Sequence, residues 1–300
     1  HVEPRVMNIY RLILTLCMSS FASHAIAAAD NCFPFEQQQG GISLPVSIAG
    51  TQTSTYLNTG TRTISLSTGL VEKLNLRIEQ FTPRAPRRGL APPTVELVKN
   101  VVVTVFDQDL EMEQVDVFDD ALPSARMSLL MFSQALVQID YPQSQICLLL
   151  RESMNLGAAE NINMRRASDG APAIEVTING DKELWLRLQI GLQGALSVDH
   201  ATAEDLGLID AEIDAETPGS QPLEGVVESL QFGPYELGNL TATYPSRAGG
   251  NSQRTRRNTD MRAVGRRRPI VIRGELGHEV LRHFVITIDF EEENMHIFAP

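Results

Sequence analysis

The sequence predicts an all-β protein with short helices, built from two similar lobes in tandem. Three observations support this: alternating apolar segments flank a glycine turn, the pattern recurs later in the chain, and the two copies end alike. Residues 41–76 resemble residues 171–208, and residues 127–149 resemble residues 276–298. A repeat of this length indicates two structural units of the same kind.

Each copy begins with a predicted hairpin, which turns at Ala49-Gly50 in the first copy and at Asn179-Gly180 in the second. Asn-Gly between alternating apolar segments is a strong hairpin signal. A short strand follows, TISLS or ALSVD, and then a helix-like segment that ends in KLNL or DLGL. Each copy ends with a helix, a strand, a charged turn and a last strand, which aligns Asp140 with Asp289.

The composition is that of a globular protein, with 43% hydrophobic and 21% charged residues. The net charge of −12 argues against a general nucleic-acid-binding face. Apolar runs stay well below the roughly 20 residues that a membrane-spanning helix needs. We therefore expect no nucleic-acid partner and no transmembrane segment.

Residues 1–29 are predicted to be a signal peptide with a few upstream residues. Met7 resembles a true start, residues 12–18 (LILTLCM) form a short apolar core, and small residues follow at a cleavage-like site. The alternative is a buried N-terminal helix. On the first interpretation the mature chain begins near Asp30, and the protein is exported to the periplasm or secreted.

The mature chain is divided into a first lobe at 30–150, a linker at 151–170 and a second lobe at 171–300. It contains two cysteines, Cys32 and Cys147. In an oxidising compartment they can form one disulfide, and the alternative is two unpaired buried thiols.

The order of these elements resembles the retropepsin-like aspartic peptidases, and the resemblance covers nearly all of the mature chain. It rests on short segments in each copy, namely LNTG (57–60), VEKLNL (71–76), IDYP (139–142), LQIG (188–191), AEDLGL (203–208), RGELG (273–277) and VITIDF (285–290). The resemblance implies two retropepsin-like (acid-protease) β-barrel lobes, like a two-lobed pepsin or a fused retropepsin dimer. The alternative is a duplicated β-barrel or sandwich of another family.

That family's chemistry needs one Asp-Thr/Ser-Gly loop from each lobe, because two facing carboxylates share a proton and act as base and acid. Here the corresponding positions carry amides, and no intact catalytic pair is predicted. The first loop is Asn58-Thr59-Gly60, and the second is Gln189-Ile190-Gly191. Asn and Gln side chains do not take up a proton at neutral pH.

Two more expectations follow from the resemblance. The apolar-apolar-Gly segment that should support each loop is kept at Leu276-Gly277 but has become Arg126-Met127-Ser128 in the first copy. In this fold the N-terminal strand lies near the strand that closes the lobe. We therefore predict a Cys32–Cys147 disulfide.

Residues 247–268 form an arginine-rich insertion that the first copy lacks. Residues 247–273 contain nine arginines and one aspartate, a net charge of +8. The simpler interpretation is a solvated surface loop, or one held against the protein's own acidic face. The alternative is an anion-binding contact with phospholipid, lipopolysaccharide or an acidic protein. Its candidate residues are Arg254, Arg256, Arg257, Arg266, Arg267 and Arg268.

Other chemistries have weak support. His278 and His283 are five residues apart, whereas a zinc-protease helix needs histidines four apart on one face. No metal site and no cofactor are predicted. The first lobe also has a basic, proline-rich segment, residues 83–93, near the place where a flap is expected.

These observations lead to three functional hypotheses. The first is a non-catalytic module that holds an extended peptide or protein in the cleft between the lobes, since backbone hydrogen bonds do not require the aspartates. The second is an active aspartic-type endopeptidase with an altered site or a homodimeric arrangement. The third is a scaffold that docks through its arginine-rich loop.

Overall fold

The computed structural model describes residues 31–38, 41–59, 63–82, 94–167, 169–210, 213–214, 221–247 and 270–300. The predicted signal peptide, residues 1–29, and the six candidate anion-binding arginines lie outside the described residues. Within the described part, no helix is long and apolar enough to cross a membrane.

Among its described residues, the first lobe consists of strands with one short α-helix and one 3₁₀ turn at Leu129–Phe132. Its elements in chain order are β1 (Asn31–Pro34), β2 (Glu36–Gln38), β3 (Gly41–Ile48), β4 (Thr51–Asn58), β5 (Ser65–Ser67), α1 (Thr68–Lys73), β6 (Glu79–Phe81), β7 (Val95–Val105), β8 (Gln108–Phe118), β9 (Ala125–Ser128), β10 (Leu136–Asp140) and β11 (Gln145–Leu149).

The second lobe repeats this order after a 3₁₀ turn at Arg151–Ser153. Its elements are α2 (Leu156–Ala159), β12 (Ile162–Arg166), β13 (Pro172–Ile178), β14 (Lys182–Leu188), β15 (Leu196–Val198), α3 (His200–Asp205), β16 (Pro222–Phe232), β17 (Tyr235–Pro245), β18 (Ile272–Leu276), α4 (His278–Leu281), β19 (Val285–Asp289) and β20 (Asn294–Phe298).

Each lobe closes into a six-stranded barrel. In the first lobe the neighbours run β3-β4-β9-β5-β8-β7 and back to β3. In the second they run β13-β14-β18-β15-β17-β16 and back to β13. The corresponding strands occupy the same place in both barrels. This topology confirms the predicted fold class: all-β with short helices and two retropepsin-like lobes in tandem.

The turns and helix starts have the local chemistry that the repeat suggested. Ala49 and Gly50 both have positive φ angles, as do Asn179 and Gly180, and such turns match the twist of the strands they join. The short helices α1 and α3 start in the same way, with Ser67 accepting from the Leu70 amide and Asp199 from the Thr202 amide.

A third sheet joins the lobes, with its six strands in the order β1-β11-β10-β19-β20-β12. The lobes meet at β10 and β19, and Gln138 pairs with Thr287 at the centre, where the Gln138 amide donates to the Thr287 hydroxyl at 3.0 Å. The segment predicted as a linker, 151–170, contributes β12 to this sheet. β12 is the counterpart of β1 at the opposite edge.

The hydrophobic core runs through both barrels as one cluster. Fully buried side chains on alternate positions of β3 and β13, such as Leu44 and Ile174, supply part of it. At the sheet between the lobes, Arg151 bonds to the buried carboxylate of Asp289. Asp289 also accepts the amides of Glu291 and Glu292, so its carboxylate holds the turn between β19 and β20.

Cys32 and Cys147 lie opposite each other on β1 and β11 and form a disulfide. The two cysteines are 115 residues apart in sequence. The bond fixes the edge strand β1 to the end of the first lobe. A loop of this size constrains the unfolded chain strongly in the chain-entropy description.

Removal of this disulfide should lower stability without changing the fold. We expect the Cys32→Ala/Cys147→Ala variant to lose up to about 4–5 kcal/mol of unfolding free energy in denaturant titrations. Thiol titration of the denatured, non-reduced full chain should count only Cys17, with three thiols after reduction. Three thiols before reduction would contradict the pairing.

Candidate functional site between the lobes

The loops after β4 and β14 meet between the two lobes. The Thr59 hydroxyl lies 2.6 Å from the Leu188 carbonyl oxygen and 3.0 Å from Oε1 of Gln189, and it donates to both. A hydroxyl has one proton, so these two acceptors share it. Thr59 is fully buried, and burial strengthens such a bond relative to one in water. Thr59 thus connects the first loop to the second.

Backbone contacts place the second loop. The Gln189 amide donates to the Leu276 carbonyl at 2.9 Å, and the Leu192 amide donates to the Gln189 carbonyl at 3.1 Å. A Cβ at Gly191 would lie 4.0 Å from the Leu57 carbonyl oxygen of the other lobe. The predicted pair Asn58 and Gln189 therefore belongs to loops that are in contact. Gly60 lies outside the described residues.

The two halves of the site differ although the backbone repeats. Ile190 takes the place that Thr59 has in the first loop, and its side chain is fully buried in the core. Because Ile190 has no hydroxyl, it cannot donate to the first loop the bond that Thr59 donates to the second. The connection between the loops is therefore one-sided.

The supporting strands differ in the same way. A Cβ at Gly277 would meet the Gly194 carbonyl oxygen at 2.3 Å, so no larger residue fits there without a backbone shift. In the first lobe Ser128 follows Met127 instead, and its hydroxyl accepts the Leu130 amide at 3.1 Å to start the 3₁₀ turn. The first lobe therefore replaces a close backbone approach with a side-chain cap.

Charged and aromatic side chains flank the two amide residues. Side chains two apart in a strand share a face, which places Tyr56 beside Asn58 and Arg187 beside Gln189. The neighbouring strands add Arg126 opposite Tyr56 and Glu275 opposite Arg187. Asp169, from the loop before β13, pairs with Arg187 at 2.7 Å. Sequence reasoning missed this set, although the period-two alternation around Asn58 and Gln189 could have indicated it.

The Glu275 carboxyl lies on the strand next to the one that leads to Gln189, and its pKa is shifted. Burial raises the pKa of Glu275 above its usual range, and the Asp169 carboxylate adds to the rise while Arg187 opposes it. Asp169 instead lies in direct contact with the Arg187 guanidinium. The two carboxyls therefore have different environments, one held next to a cation and one largely desolvated.

A second polar group lies behind the Gln189 loop. The His278 amide donates to the Leu192 carbonyl at 2.7 Å, and its ring packs edge-on against Tyr141 of the first lobe at 5.7 Å. Burial lowers the pKa of His278, and the neighbouring Arg282 cation adds to this. His278 is therefore part of the contact between the lobes.

The arrangement favours hydrogen bonding over proton transfer. Asn58 and Gln189 are neutral donors and acceptors, whereas a shared-proton pair needs two carboxyl groups.

A metal site is also absent from the described part of the chain. There, no cluster of three or more His, Cys, Asp or Glu side chains could hold a metal ion. In sequence, the proline-rich segment 83–93 lies between the paired strands β6 and β7. The segment itself is outside the described residues.

Comparisons with known proteins give structural similarity only. No protein-family model and no curated protein match the chain. A retropepsin-like aspartic protease from Rickettsia conorii matches with 11% identity and a TM-score of 0.30, over 39% of this chain and 89% of that one. The EIAV protease complexed with the inhibitor HBY-793 matches with 16% identity and a TM-score of 0.22, over 29% of this chain and 79% of that one.

The bond made by Thr59 should stabilise the contact between the lobes. Thr59→Val leaves the Leu188 carbonyl without this donor, and we expect it to lower the unfolding free energy by about 1–3 kcal/mol. Thr55 is the matched control, because it is also fully buried but its hydroxyl makes no hydrogen bond to any described residue. Thr55→Val should be neutral or stabilising in the same denaturant titration. Equal effects of the two changes would contradict the role of Thr59.

The raised pKa of Glu275 predicts a pH-dependent effect on stability. A carboxyl whose pKa is raised by folding stabilises the fold when protonated, and this contribution is lost as the pH rises through the folded-state pKa. Glu275→Gln should therefore raise the melting temperature at pH 7. The gain should shrink as the pH falls through the folded-state pKa and vanish below pH 4.5, the ordinary glutamate value. Glu79→Gln is the control. The bond to Lys99 lowers the pKa of Glu79, so this change should lower the melting temperature at pH 7 instead of raising it.

Proposed function

We propose that this protein is an exported, non-catalytic relative of the aspartic peptidases that binds an extended peptide or protein segment between its two lobes. The observation that carries the proposal is the pair of loops joined by Thr59, with Asn58 and Gln189 where that chemistry needs carboxylates. Export is supported by the signal-like sequence at 1–29 and by a disulfide, which suits an oxidising compartment.

Amide side chains suit a binding role. Each amide group offers two N–H donors and one acceptor oxygen, whereas an ionised carboxylate only accepts. An extended peptide presents alternating N–H and C=O groups, and both kinds can pair with Asn58 and Gln189. Such backbone pairing is a common way of holding peptide strands.

The test of binding uses a bulky substitution at the meeting point of the loops. Asn58→Trp should fill the space between the lobes and abolish binding of a fluorescent decapeptide library in anisotropy titrations. Asp181→Trp, on an exposed hairpin turn 72% open to solvent, is the control and should bind as the unchanged protein does. Unaltered binding by a folded Asn58→Trp variant would exclude this site.

Catalysis should be absent until the carboxylate pair is rebuilt. Asn58→Asp alone should cleave nothing, because one carboxylate has no partner with which to share a proton. Asn58→Asp with Gln189→Asp, and with Ile190→Thr to add the second hydroxyl, should give at most weak cleavage at acid pH. Mass spectrometry of a peptide library checks each variant. Robust cleavage by the unmutated protein, abolished by Asn58→Ala, would contradict the proposal.

An altered-site hydrolase is the second candidate, and one observation favours it. Asp169 and Glu275 are carboxyl groups in different environments beside the Gln189 loop, which is the pattern of an acid and base pair. Glu275→Gln and Asp169→Asn should each abolish any cleavage if this candidate is correct. If the unmutated protein cleaves no library peptide, this candidate fails.

A further inference from the structure

The two barrels place residues of opposite charge at equivalent positions beside the amide pair. In the first lobe Tyr56 pairs with Arg126 on adjacent parallel strands. The next pair along these strands is Leu57 with Met127. In the second lobe Arg187 pairs with Glu275, and the next pair along the strands is Leu188 with Leu276. Arg126 and Glu275 therefore correspond to each other across the repeat, and their charges are opposite.

The first-lobe side is positively charged. Arg126 is exposed, and its guanidinium lies 4.0 Å from the centroid of the Phe118 ring, a cation–π contact. No carboxylate among the described residues forms an ion pair with Arg126. Tyr56 beside it is neutral, and its hydroxyl donates to Gln38 at 3.2 Å.

The second-lobe side has an excess of negative charge. Arg187 is only 14% exposed and is in contact with the Asp169 carboxylate. That pair is neutral as a whole, so the charge on this side is set by Glu275. Glu275 is thus the negative group beside the strand that leads to Gln189, and Arg126 is the positive group beside the strand that ends at Asn58.

We propose that the site selects extended peptides by charge, with an acidic side chain placed at Arg126 and a basic side chain at Glu275. The inference rests on the proposed function, since it assigns the ligand class of the same site. A peptide chain has a direction, so the order of its two charges decides whether both can be matched at once. Peptides with the reverse order meet like charges on both sides.

The test uses acetylated, amidated decapeptides that carry one Glu and one Lys in either order, separated by one to five neutral residues. Neutral Gln–Gln peptides of the same length are included. At pH 7.5 and low salt, the unchanged protein should bind one order at least about fivefold more tightly than the other, as expected for partly exposed charge pairs. The double variant Arg126→Glu/Glu275→Arg should prefer the opposite order.

Single changes refine the assignment. Arg126→Glu should favour peptides with two Lys, and Glu275→Arg should favour peptides with two Glu. Lys182→Glu, at an exposed hairpin end, is the control and should keep the original preference. Equal affinity for both orders and for the neutral peptides would overturn the charge selection and leave the proposed function intact. Failure to bind any peptide would overturn both.

Discussion

The pairing of β10 with β19 determines how the two lobes face each other. It consists of four residue pairs, among them Gln138 with Thr287, which are equivalent positions of the two copies. A contact between equivalent positions defines a local two-fold axis, so the barrel of one lobe has its counterpart on the other side of it. The loops after β4 and β14 meet because of this relation, and the bond from Thr59 to the Leu188 carbonyl then joins them. Any residue at position 58 is therefore brought towards the residue at 189.

A single chain allows the two halves to diverge, which a homodimer does not. In a homodimer each substitution appears twice, so a charge at one position faces the same charge across the axis. Here Thr59 corresponds to Ile190, Ser128 to Gly277, and Arg126 to Glu275. Each pair keeps the backbone path while changing the side chain. The result is a symmetric frame that carries an asymmetric site.

Much of the fold could be predicted because its signals are local. The alternating strands, the Ala49-Gly50 and Asn179-Gly180 turns and the repeated order all depend on neighbours in sequence, and they indicated both barrels and the amide positions. The long-range contacts could not be predicted in this way. Gln138 with Thr287 and Thr59 with Leu188 are joined across more than a hundred residues. Arg187 with Asp169 depends on a short loop whose path follows from packing, and the strand β12 within the predicted linker depends on its pairing with β20.

Because the two meeting loops carry amides at positions 58 and 189, the part of the site that responds to pH lies elsewhere. Two carboxyl groups at the loops would share a proton and titrate together. Asn58 and Gln189 do not titrate, and the Thr59 hydroxyl satisfies the Gln189 oxygen without any change of charge. The acid with a raised pKa is Glu275, on the strand beside the loop.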